Sequence, residues 1–408
     1  MRPGTGGLRD AQAPLGAKEY RMNGRFSLAA APLACLALLA ALLLPCAGAL
    51  AADTIKIGAV LSVTGPAAFL GEPEKNTMLM VQDAVNAAGG VLGKKIEVIV
   101  YDDESDVNKA VLAAQKLIKK DRVVAVAGPS TSGNSLGIMK FFEESKVPLI
   151  SCAASEKIVN PVGKWVFSVA PLDRYAAGKI IADAKKKGMK KLALLSVSDG
   201  FGQSGRAVVQ ELVPAQGLSL VADEVYGPKD TDMTAQLTKI KEAAPDAIVV
   251  WGTNPGPAVI ARNREQLALA TPLYVCHGVA SKKFIELAGP SAEGLLLPAG
   301  RIIVAAQLPD SDPQKKLLMD YTTKYQEKYN APVSTFGGHG WDSVSLIVKA
   351  MDMAKSDKPE AIRDALEKIS AFPGTAGIFT YTPTNHNGLD EGAFLMIKVE
   401  KGDWKIVE

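Results

Sequence analysis

From Thr54 to Val304 the chain alternates between short apolar runs and amphipathic stretches with almost no interruption. Short apolar runs bounded by turns read as buried strands, and apolar residues at i, i+3, i+4 read as helices. The first round places strands at Thr54–Leu61, Lys95–Tyr101, Val123–Ala127, Val147–Ser151 and Trp165–Val169, with helices at Glu74–Ala88, Val107–Lys120 and Ser132–Ser145. The pattern restarts after Pro171. Strands at Lys191–Val197, Leu218–Tyr226, Ala247–Trp251 and Leu273–Cys276 alternate with helices at Arg174–Lys187, Arg206–Gln216, Met233–Ala243, Pro257–Leu269 and Lys282–Ala288. Two rounds of alternating β and α predict an α/β protein with two doubly wound, parallel-sheet lobes.

Near Ile303 the register changes. Asp312–Tyr329, Gly340–Ala354 and Pro359–Ile369 read as three consecutive helices, and the tail reads as strand and turn. A helical block followed by a strand tail fits a chain that returns to the first lobe and ends on the second. The expected division is 53–170 plus 301–375 for the N-terminal lobe and 171–300 plus 376–408 for the C-terminal lobe, joined by a multi-crossover hinge.

Residues 1–52 stand apart. Arg21 and Arg25 precede an apolar run, Phe26 to Leu44, and small residues follow from Ala47 to Ala52. That order describes a secretory signal peptide, which places the mature protein in the periplasm. Cys46 follows Leu-Pro and makes a poor lipid-attachment site, so no lipid anchor is expected. The leader carries five basic residues against two acidic ones, which accounts for the whole net charge of +3. The mature chain is therefore neutral, which removes the electrostatic case for nucleic-acid binding. Outside the leader only Cys152 and Cys276 remain, and both follow strands in different halves. Free buried thiols fit them better than a bond clamping the two lobes.

The stretch Val123–Ile158 carries the clearest functional signal. It reads strand, Gly-Pro-Ser-Thr-Ser-Gly turn, helix from Ser132, strand, Cys-Ala-Ala-Ser turn, then a further helical start at Ser155. Both turns would lie at the carboxyl ends of adjacent parallel strands, where open α/β sheets bind ligands. Two helix N-termini converging there would favour an anion such as a carboxylate. Neither turn carries a lysine, a Cys-His pair or paired acids, so the place suits holding an anion and lacks the means to transform it.

The sequence resembles the periplasmic solute-binding proteins of branched-chain amino-acid ABC importers, the leucine/isoleucine/valine-binding type. The likeness rests on IKIGAVLSVTGPAAFLG from Ile55, GPSTSGNS followed by VPLISCAAS, SVSDGFGQSG from Ser196, and the closing GIFTYTPTNHNGLDEGAFLMIKVEKGDWKIVE. These are loose turns, and their order and spacing carry the resemblance. It implies two lobes with three crossovers, closing on a small-molecule carboxylate or amino acid, and docking of the loaded monomer on an inner-membrane permease. It implies Ser132, Ala153 and Ser155 as carboxylate contacts, Phe201 as the aromatic closing from the second lobe, and Phe69 and Leu70 beside the ligand side chain. Position 277 departs from the family. An acidic residue usually pairs with the ligand α-ammonium there, and this chain has His277. A neutral imidazole is a weaker partner for an ammonium, so either another acid replaces it or the ligand is an aliphatic or aromatic acid without an α-amino group.

Gly133-Asn134-Ser135-Leu136-Gly137 matches G-x-S-x-G, but that elbow needs a strand immediately before it, and Ser135 falls inside the expected helix. No Walker A, dinucleotide fingerprint or C-x-x-C is present. The chain is expected to be no enzyme and to need no cofactor and no metal. His339 and His386 read as turn or cap residues, Trp251 as the end of a core strand, and Asp102-Asp103-Glu104 as a solvated loop. A receptor module that passes closure to a signalling partner is the second functional reading.

Overall fold

The computed structural model describes residues 54–407, so the expected signal peptide lies outside the described residues. Five strands form the first sheet: β1 (Ile55–Leu61), β2 (Ile96–Asp102), β3 (Ala125–Ala127), β4 (Leu149–Ser151) and β5 (Val166–Ser168). The second sheet takes β6 (Lys191–Val197), β7 (Ser219–Tyr226), β8 (Ala247–Trp251), β9 (Leu273–Val275) and β10 (Leu296–Gly300). A two-residue pair, β11 (Phe372–Pro373) and β12 (Ile378–Phe379), follows, and the second sheet is completed by β13 (Phe394–Glu400) and β14 (Asp403–Ile406).

The helices in the first round are α1 (Ala68–Ala87), α2 (Val107–Lys116) and α3 (Ser132–Ser145). In the second round they are α4 (Asp173–Lys186), α5 (Gly200–Ala215), α6 (Thr234–Glu242), α7 (Gly256–Gln266) and α8 (Lys282–Ala288). The late block supplies α9 (Lys315–Tyr329), α10 (Thr335–Ala354) and α11 (Pro359–Leu366).

The first sheet runs β2-β1-β3-β4-β5, all parallel. The second runs β14-β13-β10-β9-β8-β6-β7, parallel through β10, with β13 and β14 antiparallel at its edge. The parallel parts share one topology. In each, the strand order reverses direction beside the first strand, between β1 and β3 and between β6 and β8. Those are the switch points where ligands seat in doubly wound folds.

Among the described residues the chain crosses between sheets three times, between β5 and α4, after β10, and before β13. The last crossing falls later than the sequence reading placed it. Ala376, Phe379, Tyr381 and Leu389 pack into the first core with Ile57, Ile150 and Phe167. Tyr381 Oη also donates to the Ser168 carbonyl at 2.9 Å, which holds this part of the tail on β5. His386 lies at a bend, as expected, and is also buried. Its ring stacks on Phe167 at 3.9 Å and Nδ1 meets the Val166 carbonyl at 2.9 Å.

α1 begins at Ala68, not Glu74, and two later helices also start earlier than periodicity predicts, for one physical reason. α5 begins at Gly200, not Arg206, and α10 begins at Thr335, not Gly340. Glycines at 200, 202 and 205, and at 337, 338 and 340, disguise both starts as turns. Each is there for close approach. A Cβ on Gly205 would collide with the Trp251 indole, and one on Gly340 would lie 2.6 Å from the Glu74 carbonyl oxygen. N-caps then override the poor helix propensity of glycine. Asp199 accepts from the Phe201 and Gly202 amides at 3.0 and 2.9 Å, and Ser334 accepts from Gly337 at 3.2 Å.

Candidate functional site

The ends of strands from both sheets enclose a cavity of about 370 Å³. That lies within the range of small-molecule sites, roughly 300–1,000 Å³. The first lobe supplies the turn after β1, Ser130–Asn134 after β3, and Cys152–Ala154 after β4. The second supplies Asp199–Phe201 after β6, Tyr226 at the end of β7, Thr253–Gly256 after β8, and His277 after β9. Phe336 and His339 of α10 complete the wall.

The feature suited to an anion is the start of α3. Thr131, not Ser132, is the N-cap, and its hydroxyl accepts from the Asn134 amide at 3.3 Å. Ser135 N–H bonds the Thr131 carbonyl. Helix geometry leaves the Ser132 and Gly133 amides with no acceptor inside the helix, and both residues line the cavity. Beneath them Ser130 Oγ donates to the buried Glu74 carboxyl and accepts from the Ser62 amide at 3.1 Å, which fixes the loop. Burial holds the Glu74 carboxyl well above the usual carboxylate range. That burial disfavours its charged form beneath the start of α3.

The second helical start differs from expectation. Ser155 precedes a single three-residue 3-10 turn, Glu156–Ile158, so little helix dipole is aimed from there. Ser155 is fully buried and its hydroxyl lacks a partner, but it is not among the residues that line the cavity, as Cys152, Ala153 and Ala154 are. Ala153 gives its N–H to Ser151 Oγ at 3.1 Å, so the group it can offer a ligand is its carbonyl oxygen. The helix that does face α3 belongs to the other lobe. A Cβ on Gly200, the first residue of α5, would lie 3.2 Å from Gly133 Cα. The two lobes thus meet, N-terminus to N-terminus, at a pair of glycines.

Of the residues singled out from sequence, Ser132, Ala153, Phe201, His277 and Leu70 line the cavity. Ser155 and Phe69 do not. Phe69 stacks edge-on against Phe336 at 5.6 Å and so supports the wall. Sequence reasoning missed Thr131, Tyr226, Asn254, Phe336 and His339. The switch-point rule, applied to the second lobe, would have flagged Asn254 in the turn after β8. His339 was hidden by the glycines that disguise the start of α10.

His277 sits among Phe201, Trp251 and Phe394, with ring centroids 5.2 to 5.8 Å away. Nε2 is 3.7 Å from Asp173 Oδ1, too far for a hydrogen bond. Asp173 is fully buried, and burial pushes its carboxyl well above the ordinary range. Burial pulls His277 down to about 3, with His339 adding to the shift, and pulls His339 down to about 4. Both imidazoles are neutral at pH 7. Each binds its proton less readily in the folded state than in the unfolded chain, so the unfolded chain holds more protons below about pH 6.5. Their contribution is complete above that value and is lost as pH falls toward 3. Replacing His277 by Gln is expected to flatten the acid-side fall of unfolding free energy by up to about 1.4 kcal/mol per pH unit, read by urea denaturation at pH 7, 6 and 5. An unchanged slope contradicts the assignment.

One further reading changes and two hold. Asp103 is buried, not solvated, and its Oδ1 accepts from Ser62 Oγ at 2.7 Å. Ser135 of the G-x-S-x-G match lies inside α3, buried, 2.8 Å from Ser151 Oγ. Cys152 and Cys276 are free and buried.

Two doubly wound lobes with a ligand-sized cavity between their switch points define a bilobal solute-binding protein. Residues 54–403 match the family model described as "Periplasmic binding protein", and the chain belongs to that family. Its fold is the type I periplasmic binding protein fold. Among curated relatives, the leucine-, isoleucine-, valine-, threonine- and alanine-binding protein of Pseudomonas aeruginosa is 29% identical over 346 residues, 84% of this chain and 87% of that protein. Among solved structures, an extracellular ligand-binding receptor from Rhodopseudomonas palustris HaA2 is 31% identical with a TM-score of 0.80, covering 86% of this chain and 99% of that one. The branched-chain amino acid transporter substrate binding protein LivJ from Streptococcus pneumoniae, solved in complex with isoleucine, is 27% identical with a TM-score of 0.76, covering 87% and 99%.

Proposed function

We propose that this chain is the extracytoplasmic solute-binding subunit of an ABC importer. It holds a branched-chain amino acid or a related small carboxylate between two lobes that close on it, and it does not transform that ligand. The loaded protein, a monomer in the periplasm, docks on an inner-membrane permease. Among the described residues, no helix is long and apolar enough to cross a membrane.

One observation carries the reading. The unbonded amides at the start of α3 open into a cavity whose opposite wall belongs to the other lobe. A carboxylate seated there touches both lobes at once, so its contacts exist only in the closed form and shift the population toward it. Two of the relatives named above, from Pseudomonas aeruginosa and Streptococcus pneumoniae, are named for branched-chain amino acids, which supports a ligand of that size class. The neutral His277 supports a second reading, in which the ligand is a carboxylic acid without an α-amino group.

Calorimetry with leucine, isoleucine, valine and 4-methylpentanoate tests the proposal. At least one of these acids is expected to bind at micromolar concentration or below, about −8 kcal/mol or better. Tighter binding of 4-methylpentanoate than of leucine selects the second reading. No binding by any of the four overturns the carboxylate proposal for this size class.

A further inference from the structure

The first lobe explains how one end of a ligand is held. The second lobe carries polar groups that this grip does not use. Tyr226 is 2% exposed and Asn254 is 6% exposed, and both line the cavity. The Tyr226 hydroxyl and both atoms of the Asn254 carboxamide have no hydrogen-bond partner. Both nitrogens of His277, on the same wall, are likewise unpartnered. Buried polar atoms are nearly always satisfied, because each unmade bond costs about 1–3 kcal/mol. Several on one wall of a ligand cavity mark a place where a ligand completes the bonding.

The local backbone is built around this group. Tyr226 ends β7 and its ring lies over the turn Gly252-Thr253-Asn254-Pro255-Gly256. A Cβ on Gly252 would collide with the Tyr226 hydroxyl, and one on Gly256 would lie 2.5 to 2.9 Å from its ring and hydroxyl. The two glycines that flank Asn254 therefore set the tyrosine beside it.

The chemistry of the wall selects what it can take. Burial raises the Tyr226 hydroxyl well above its ordinary range, and burial keeps His277 neutral, so neither carries charge at pH 7. The nearby Asp199 carboxylate would repel a second carboxylate on the ligand. Tyrosine offers a donor and an acceptor, and the Asn amide offers two donors and an acceptor. An ammonium has no lone pair and would leave the donors unanswered. A hydroxyl donates and accepts and can satisfy both side chains. We propose that Tyr226 and Asn254 form a subsite for an uncharged hydroxyl group on the ligand, at the end remote from its carboxylate. This inference rests on the carboxylate reading above and narrows it to hydroxyl-bearing acids.

Matched pairs of acids test it by calorimetry. The probes are straight-chain alkanoates of four to eight carbons and their ω-hydroxy counterparts, together with phenylacetate and 4-hydroxyphenylacetate. In at least one pair the hydroxylated acid is expected to bind at least tenfold more tightly. Tyr226→Phe is expected to cut that preference at least fivefold, and Asn254→Ala to cut it in the same direction. A mere packing defect weakens both members of a pair and leaves their ratio intact. If acids bind but no pair shows the preference, or the preference survives both variants, the subsite is wrong and the carboxylate reading stands. If none of the acids in this panel or the previous one binds, the carboxylate reading fails and this inference fails with it.

Discussion

Ser132→Asp is expected to weaken binding of any carboxylate ligand by at least about 100-fold, roughly 2.7 kcal/mol, while leaving the ligand-free protein as stable as before. Ser132 is the first residue of α3, it is buried, and it lines the cavity. An aspartate there places a permanent carboxylate on the amides that would otherwise receive the ligand, and adds charge repulsion in a site shielded from water. The same substitution suits the helix, because acidic side chains stabilise first turns by about 0.3–1 kcal/mol. Loss of binding therefore comes without loss of fold, and the melting temperature of the free variant checks that separation. A dissociation constant within threefold of the wild type would remove the start of α3 from the site.

The second large effect concerns the frame that holds the lobes. Asp342→Ala is expected to lower the unfolding free energy by about 3–5 kcal/mol, read as a shift in urea midpoint with an unchanged slope. Asp342 is fully buried in α10. Its Oδ1 accepts from the Thr375 amide at 2.6 Å, and Oδ2 accepts from Thr375 Oγ1 and the Ala376 amide, both at 2.9 Å. Alanine strands three buried donors, each costing about 1–3 kcal/mol. Those donors begin the tail segment that packs into the first core before crossing to β13. Asp342→Asn keeps one acceptor oxygen and is expected to lose less. Equal stability of the alanine variant would show that the tail is held by apolar packing alone.

The alternation of apolar runs and helical stretches made the two lobes legible, because buried parallel strands leave few polar residues to confuse the pattern. Strands β6 and β8 and helices α3 and α8 run between the same residues that the pattern gave them. What stayed hidden follows from glycine. Clusters at 200–205 and 337–340 read as turns, yet they mark helices pressed against Trp251, Thr375 and the backbone of Glu74. Spacing carries no record of that pressure. The site was half legible. The turn after β3 could be read because Ser132 opens a helix one short Gly-Pro-Ser-Thr turn after a strand. The polar wall of Tyr226 and Asn254 could not, because its members come from two separate strand ends that meet only in the folded sheet. Ser155 misled for the opposite reason. Its neighbours suggested a helix, and the chain makes only one 3-10 turn there.

The central claim is that free amide groups at the start of α3 hold a ligand carboxylate across the gap between the lobes. Its most direct test is calorimetry on the wild-type protein with the tightest-binding acid of the panels and with the primary amide of that acid. The acid should bind at least about 100-fold more tightly than the amide, since only the acid brings the negative charge that the helix end favours. Equal affinity for acid and amide would contradict the claim.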